Sequence, residues 1–157
     1  MKLLLFLVLL FRGATAEASD LSKIIIPGNA FGADWELTQP NLFGDAAAPG
    51  YINRKLPHQP MVFVNIIRFK TPEAARKQWD KKFSGPDVAT FFKKVEGMVD
   101  AYDNILPPQM KDLPHLKRFL LFRSYWLTVE QVGDKDERKI FIEKYSEVIK
   151  KISLGQP

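Results

Sequence analysis

The chain contains no cysteine. Disulfides, thiolate metal sites and a cysteine nucleophile are therefore excluded, although an exported compartment would permit disulfides. The protein must be held together by its core, and 157 residues with 46% apolar residues suffice for one compact domain. None of the five asparagines begins an N-x-S/T sequon, so N-glycosylation is not expected.

Histidine is scarce, and the motifs of common enzyme classes are missing. The two histidines, His58 and His115, each lie in a proline-bounded stretch outside any H-x-x-x-H pattern. A zinc site needs three or four nitrogen or sulfur donors, so the sequence predicts two solvated loop histidines and no zinc site. No cofactor and no metal site are predicted. An oxygen-ligated calcium site at Asp34, Asp45, Asp100 or Asp103 stays open as an alternative, although no stretch of the chain resembles an EF-hand loop. There is no G-x-S-x-G, P-loop or G-x-G-x-x-G motif, which argues against the corresponding hydrolases and nucleotide-binding proteins.

The longest apolar run stands at the start of the chain. Lys2 precedes an unbroken apolar stretch at residues 3–11, and an A-x-A arrangement ends at Ala16. This layout predicts a cleaved signal peptide at residues 1–16, followed by a single domain at residues 17–157. A bilayer span needs about 20 apolar residues, so no transmembrane span is expected in the mature chain. The predicted location is periplasmic or secreted, and the joint lack of disulfides and sequons favours a bacterial exported protein.

The charge balance of the mature chain is nearly even. Without Lys2 and Arg12, the 23 basic residues fall to 21, against 18 acidic residues. Such a balance argues against a nucleic-acid partner. Contact with an anionic membrane surface stays open because the chain carries four basic doublets. They are Lys81-Lys82, Lys93-Lys94, Lys117-Arg118 and Lys150-Lys151.

Two neighbouring segments have clear signals of secondary structure. Residues 61–69, MVFVNIIRF, are rich in β-branched side chains and predict a central strand. Thr71, Pro72 and Glu73 then fit the cap, the first position and the first turn of a helix. Its predicted buried stripe is Ala75, Trp79 and Phe83.

Two other segments are harder to assign. Residues 39–59 contain five turn-forming prolines and glycines, which predicts a long loop with at most a short strand near Tyr51. From Val88 to Tyr102 the apolar residues follow a 3.6-residue period and predict a second helix. Gly97 weakens that helix, so the part beyond it is either helix or strand.

The stretch KRFLLFRSYWLTVEQ, residues 117–131, is apolar on both alternating sets of positions. That pattern fits a strand buried on both sides or a tight hairpin that turns near Ser124. After Gly133, Asp134 and Glu137 fit a capping box at the start of the last helix. The predicted buried stripe of that helix is Phe141, Tyr145, Val148 and Ile152, with Ile149 beside it.

The order of these elements predicts an α+β fold in a single domain. It consists of a mainly antiparallel sheet of four to five strands with two to three helices packed on one face. A crossover from residues 61–69 through the first helix would add one parallel pair.

The favoured function is binding by an exported, non-catalytic domain, with a partner protein or a small apolar or anionic ligand. Arg123 and Tyr125 are candidate contacts because a guanidinium lies beside a polar-tipped aromatic near a turn or a sheet edge. Trp35 and His58 complete the set of candidate binding residues.

Two alternatives remain open from the sequence. One is a small cofactor-free hydrolase or isomerase that uses a carboxylate acid–base pair, such as Asp100 with Asp103 or Asp34 with Glu36. The other is an envelope-surface protein that docks through its lysine doublets, with binding that weakens as salt is added.

Overall fold

The computed structural model describes residues 21–57, 59–106, 115–133 and 136–154. A short 3-10 turn, Gly28–Phe31, precedes the sheet. The strands are β1 (Trp35–Phe43), β2 (Ala46–Asn53), β3 (Met61–Arg68), β4 (Phe92–Lys94), β5 (Ala101–Asn104), β6 (His115–Phe122) and β7 (Tyr125–Val132). The helices are α1 (Pro72–Phe83), α2 (Val88–Phe91) and α3 (Arg138–Ser153). None of the described helices is long and apolar enough to cross a membrane.

The seven strands form one sheet in the order β1-β2-β3-β7-β6-β5-β4, and every neighbouring pair is antiparallel. The predicted α+β class and the antiparallel character of the sheet are confirmed. The prediction of four to five strands is wrong, because two segments assigned to a loop and to a helix contain strands. The chain also makes no parallel pair within this sheet, since β3 lies beside β7 in the antiparallel sense.

The predicted loop at residues 39–59 is instead largely strand. β1 continues to Phe43, turns at Gly44, whose φ is +55°, and returns as β2. Pro40 and Pro49 lie opposite each other in the register. The β2–β3 ladder passes from the Ala47 pair to the Gly50 pair, so Pro49 falls where that ladder is interrupted. Proline is tolerated there because β1 is an edge strand and Pro49 donates no ladder hydrogen bond.

The predicted second helix is only four residues long, Val88–Phe91, and gives way at once to β4. Gly97, with φ at +75°, lies in the connection between β4 and β5. The Val95 amide donates to the Ala101 carbonyl at 3.0 Å and closes this connection. The apolar period of this segment therefore reflects pairing at the edge of the sheet, which overrides local helix preference.

Residues 117–131 form most of the β6–β7 hairpin. Of the two alternatives that the sequence leaves open, the hairpin that turns near Ser124 is therefore the correct one. Phe122 pairs with Tyr125, so Arg123 and Ser124 form the turn. Arg123 has φ at +49°, a left-handed conformation that two-residue hairpin turns require. Apolar residues at alternate positions of the hairpin pack on opposite faces of the sheet.

The two faces of the sheet carry separate cores, so the prediction that the helices pack on one face is wrong. α3 covers one face through Phe141, Tyr145 and Ile149, which pack with Leu120 and Leu127. α1 covers part of the opposite face through its predicted stripe of Ala75, Trp79 and Phe83, which packs with Phe119 and Leu121. Neighbouring residues of a strand point to opposite faces, which places the two helices on opposite sides.

The start of α1 is confirmed as predicted. Thr71 Oγ1 accepts a hydrogen bond from the Ala74 amide at 3.1 Å, and Pro72 occupies the first turn. α3 begins at Arg138, and the predicted capping residue Asp134 lies outside the described residues.

The α3 side of the core contains a buried pair of phenols. The Tyr51 and Tyr145 hydroxyls are hydrogen bonded to each other, and the Tyr51 hydroxyl donates to the Ile26 carbonyl at 2.7 Å. Burial raises the pKa of Tyr51 to about 12, and it raises the pKa of Tyr145 as well. Both phenols therefore stay neutral and serve to satisfy polar groups within the core.

Candidate binding site on the open sheet face

Half of one sheet face is left uncovered by the described helices. On this side α1 packs over β6 and the adjoining end of β7, whereas β2, β3 and the rest of β7 carry no helix among the described residues. We call this uncovered half the open face. Its apolar residues are Ile52, Met61, Phe63, Ile67 and Val132.

The open face follows from a strand that is apolar on both sides. Val62, Val64 and Ile66 of β3 are buried under α3, and the alternate residues point the other way. Met61, Phe63, Ile67 and the neighbouring Val132 keep 37–42% of their surface exposed. Asn65 separates Ile67 from the others along β3, so the contiguous apolar group consists of Met61, Phe63 and Val132 with Ile52 beside them. Contiguous exposed apolar side chains mark interaction sites more often than isolated ones do.

Phe63 is held in place by a glycine on the neighbouring strand. Gly50 lies opposite Phe63 in the β2–β3 register. A Cβ atom on Gly50 would come within 3.3 Å of the Phe63 ring, so the missing side chain lets the ring lie close against β2. A larger residue at position 50 would therefore displace the ring at the centre of the open face.

A charged cluster adjoins the apolar residues on β6 and β7. Glu130 lies opposite Phe63 on β7 and opposite Lys117 on β6. The Lys117 Nζ is 2.5 Å from Glu130 Oε2, and His115 Nε2 contacts the other carboxylate oxygen. The sequence predicts a solvated loop residue at His115, and that prediction is wrong because β6 begins at this residue.

The ionised form of Glu130 is favoured by its two neighbours. Burial by itself would raise the pKa of Glu130, but the hydrogen bonds from Lys117 and His115 outweigh it and hold the pKa below its ordinary value of 4.5. A folded-state pKa below the unfolded one means that the carboxylate stabilises the fold above about pH 4.5. That contribution is lost as the pH falls through the folded-state pKa.

We expect the Glu130→Gln substitution to lower the free energy of unfolding by about 1 kcal/mol near pH 7, because it removes charge-assisted hydrogen bonds. At a pH below the folded-state pKa the two proteins should have nearly equal stability, since Glu130 is then protonated. Urea unfolding at both pH values measures the difference. Glu143→Gln is the control, since its carboxylate is mostly exposed and 4.0 Å from Lys139, and it should differ little from the wild type at either pH. A difference that is the same at both pH values would contradict this assignment.

Three of the four sequence-predicted binding residues lie away from the open face. Trp35 and Tyr125 belong to the buried cluster under α3 and expose only 6% and 5% of their surfaces. Arg123 lies in the β6–β7 turn and donates to the Ser153 carbonyl at 2.9 Å. His58 lies outside the described residues. The structure brings Trp35 and Tyr125 into one cluster but not with Arg123, and a binding role for these four residues stays a prediction.

Arg123 also borders a cleft beside the first turns of α1. The cleft has a volume of about 610 Å³ and includes Arg76, Lys77, Glu73 and Asp80 in its walls. Arg76 already makes two 2.6 Å hydrogen bonds to Asp100. Cations and carboxylates alternate here, so the cleft has no strong preference for either charge.

The carboxylates considered for acid–base chemistry are each engaged by a cation. Asp100 pairs with Arg76, and Asp103 makes two 2.7 Å hydrogen bonds to Arg118. Asp34 lies 2.5 Å from Lys55, and Glu36 lies 3.2 Å from Arg54. Among the described residues, no group of three or more histidine or acidic side chains could hold a metal ion.

The sequence reasoning missed the residues that define the open face. The signal is present in residues 61–69, whose apolar residues occupy both faces of the predicted strand. That pattern predicts burial on both sides, because a sequence does not show which strands a helix covers.

No protein-family model, curated protein or solved structure matches this chain.

Proposed function

We propose that this protein is an exported, non-catalytic domain that binds a partner protein through the open face. The observation that carries the proposal is the group of exposed apolar side chains formed by Met61, Phe63 and Val132, beside a half of the same sheet face that α1 covers. A sheet face of this composition is normally covered by another layer of structure. The signal-like leader supports export.

A partner protein suits the site better than a small ligand. Small-molecule sites are concave and bury most of their ligand's surface. Here the apolar side chains stand on the surface of a sheet, and each remains partly exposed. The ion pairs made by the candidate acid–base carboxylates also favour binding over catalysis.

The structure distributes the lysine doublets over several elements rather than on one surface. Lys81 and Lys82 lie in the last turn of α1, Lys93 and Lys94 lie on β4, and Lys117 and Arg118 lie on β6. Lys150 and Lys151 lie in the last turn of α3, on the opposite side of the sheet. Docking through all the doublets at once is therefore the weaker proposal.

The proposal is tested by placing a photo-crosslinking amino acid at position 63 in the cells that make the protein. We expect a discrete adduct from position 63 that excess unlabelled wild-type protein suppresses and that the Phe63→Asp variant does not. Burying a carboxylate without a partner is unfavourable, so Phe63→Asp should weaken docking at least about tenfold.

The matched control is position 91, because Phe91 is a phenylalanine that is 57% exposed on α2, away from the open face. Equal adducts from positions 63 and 91, or equal competition by wild type and Phe63→Asp, would contradict docking through the open face.

A further inference from the structure

We propose that the open face takes one amphipathic helix of its partner, with acidic residues along the flank of that helix that faces Lys117 and Lys82. This inference rests on the proposed function and adds the shape and charge of the partner segment. Three properties of the open face support it: its size, its place beside α1 and the distribution of charge along its borders.

The open face is too small for a standard globular interface. β2, β3 and β7 are each eight residues long, and β1 continues the sheet beyond β2. With strands about 4.8 Å apart and a rise of about 3.4 Å per residue, the uncovered area is on the order of 400 Å². A standard interface buries about 800 Å² of accessible surface on each partner, so a patch of this planar area suits a long, narrow partner segment better than a broad globular surface. An α-helix is about 10–12 Å across and fits the available width.

The covered half of the same face shows how a helix packs on this sheet. α1 presents Ala75, Trp79 and Phe83 at a spacing of four residues, and these side chains bury Phe119 and Leu121. The open half offers a comparable set of apolar side chains with no described helix above it. A helix from a partner would lie beside α1 and continue the same layer, which is the helix-in-groove mode of recognition.

The boundary between the two halves is aromatic and rigid. Trp126 stacks on Phe69 with ring centroids 6.3 Å apart, and it packs edge-on against Trp79 at 5.4 Å. Trp126 lies opposite Ile67 in the register, so it connects the covered half with the open face. A helix docked on the open face would therefore contact the packed ring of Trp126 on one side.

The charge on the β6 border of the open face is positive. Lys82 Nζ lies over three aromatic rings of the covered half, 5.2 Å from the centroid of Phe119 on β6, 5.3 Å from that of Phe92 on β4 and 5.8 Å from that of Phe83. No carboxylate pairs with Lys82 in the described part of the chain. Lys117 is close by on β6 but shares Glu130 with His115. Lys82 and Lys117 together carry one more positive charge than Glu130 balances, so the border keeps a surplus of positive charge.

The β1 border has no such surplus. Near the start of β1, Glu36 pairs with Arg54 and Asp34 pairs with Lys55. Charge asymmetry across a binding site favours one orientation of its partner and one sign of flanking charge. Acidic residues on a single flank of the helix would meet Lys82 and Lys117.

The inference can be tested with a displayed library of helices. Each member has about 18 residues with a fixed apolar stripe at helical spacing, and the flanking positions are randomised among Glu, Lys, Gln and Ser. The library is selected on the wild-type chain, and binders to the Phe63→Asp chain are removed. We expect Glu to be enriched over Lys on one flank of the selected helices.

Charge-reversal variants supply the second readout. Lys82→Glu should weaken binding of a selected helix about 2- to 5-fold, as expected for one rim charge pair. Lys139→Glu is the matched control, since Lys139 is highly exposed on α3 across the sheet, and it should leave the affinity unchanged. Fluorescence anisotropy of labelled helices measures both effects.

Several results would overturn the inference. A selected pool with no charge bias, or one rich in Lys, would remove the acidic flank. Failure to select any helix that depends on Phe63 would remove the helix itself. Binding to anionic lipid vesicles that is lost in Phe63→Asp, with no helix selected, would identify a membrane surface as the occupant. If the acidic flank or the helix itself is ruled out in this way, the proposed function is still supported by a crosslinked adduct from position 63 that wild-type protein suppresses and Phe63→Asp does not.

Discussion

We expect the Phe141→Ala substitution to lower the free energy of unfolding by about 3–5 kcal/mol, the usual cost of removing a buried aromatic ring. Phe141 is fully buried and stacks on Phe31 with ring centroids 4.0 Å apart. Its ring also meets Trp35 edge-on at 4.9 Å, so the cavity would be lined by rigid neighbours that cannot collapse into it. Chemical denaturation near neutral pH measures the loss.

The loss matters more here because the chain has no disulfide to limit the unfolded state. Domains of this size are stable by about 5–15 kcal/mol, so one substitution would remove a large share of the total. Phe91→Ala is the control, since Phe91 is mostly exposed, and it should change stability by about 0.5 kcal/mol or less. A loss below about 1 kcal/mol for Phe141→Ala would show that this aromatic cluster is not the centre of the core.

We expect Gly28→Ala to destabilise the protein by about 3 kcal/mol, the upper end of the usual cost of overpacking. A Cβ atom on Gly28 would lie 2.4 Å from the Trp35 carbonyl oxygen and 2.7 Å from the Leu37 amide nitrogen. Both atoms belong to the backbone of β1, which cannot move aside without breaking its pairing with β2. The 3-10 turn and the first strand are therefore in direct backbone contact.

Gly44→Ala is the matched control for this prediction. Gly44 has φ at +55°, but a Cβ atom added there would meet nothing within 4 Å, so only the left-handed conformation is penalised. That penalty is about 1–2 kcal/mol. Thermal and urea unfolding of the two variants would separate a steric clash from a conformational preference. Equal losses at the two glycines would contradict the close approach at Gly28.

The parts of the fold that follow from short-range chemistry were predictable. The start of α1 depends on the Thr71 side chain and the ring of Pro72, which act within one turn of helix. The alternating apolar residues around Ser124 indicate either a doubly buried strand or a hairpin. The sequence therefore includes the hairpin among its two predictions, because a strand and a hairpin both produce this local side-chain period.

The extra strands were not predictable because they depend on distant neighbours. The segment from Ala46 to Asn53 has small residues, a proline and a glycine, and it becomes a strand only between β1 and β3. β4 is a short edge strand and β5 is a short strand next to it, and their pairing overrides the helical period of their sequence. Strand preference reflects such surroundings more than intrinsic backbone preference.

The candidate site was not found for the same reason. Tyr125 and Trp35 are aromatic residues with a polar atom at the tip, so the sequence is compatible with a position at the surface. The strand register instead turns both side chains toward α3. Phe63 resembles a core residue in the sequence because residues 61–69 are apolar on both faces. Which half of the sheet α1 covers is decided by the packing of Trp79 and Phe83 against β6, far away in the sequence.

The sheet divides the three tryptophans of the chain between its two sides. Trp35 is buried under α3, whereas Trp79 and Trp126 lie together on the α1 side. The indole emission of the protein is therefore a sum of two optical signals that report on different layers. Replacing Trp35 by phenylalanine leaves a chain that reports only on the layer beside the open face, and replacing the other two leaves one that reports only on the α3 layer. The same protein thus carries built-in probes that distinguish a partner's arrival at one surface from loosening of the opposite core.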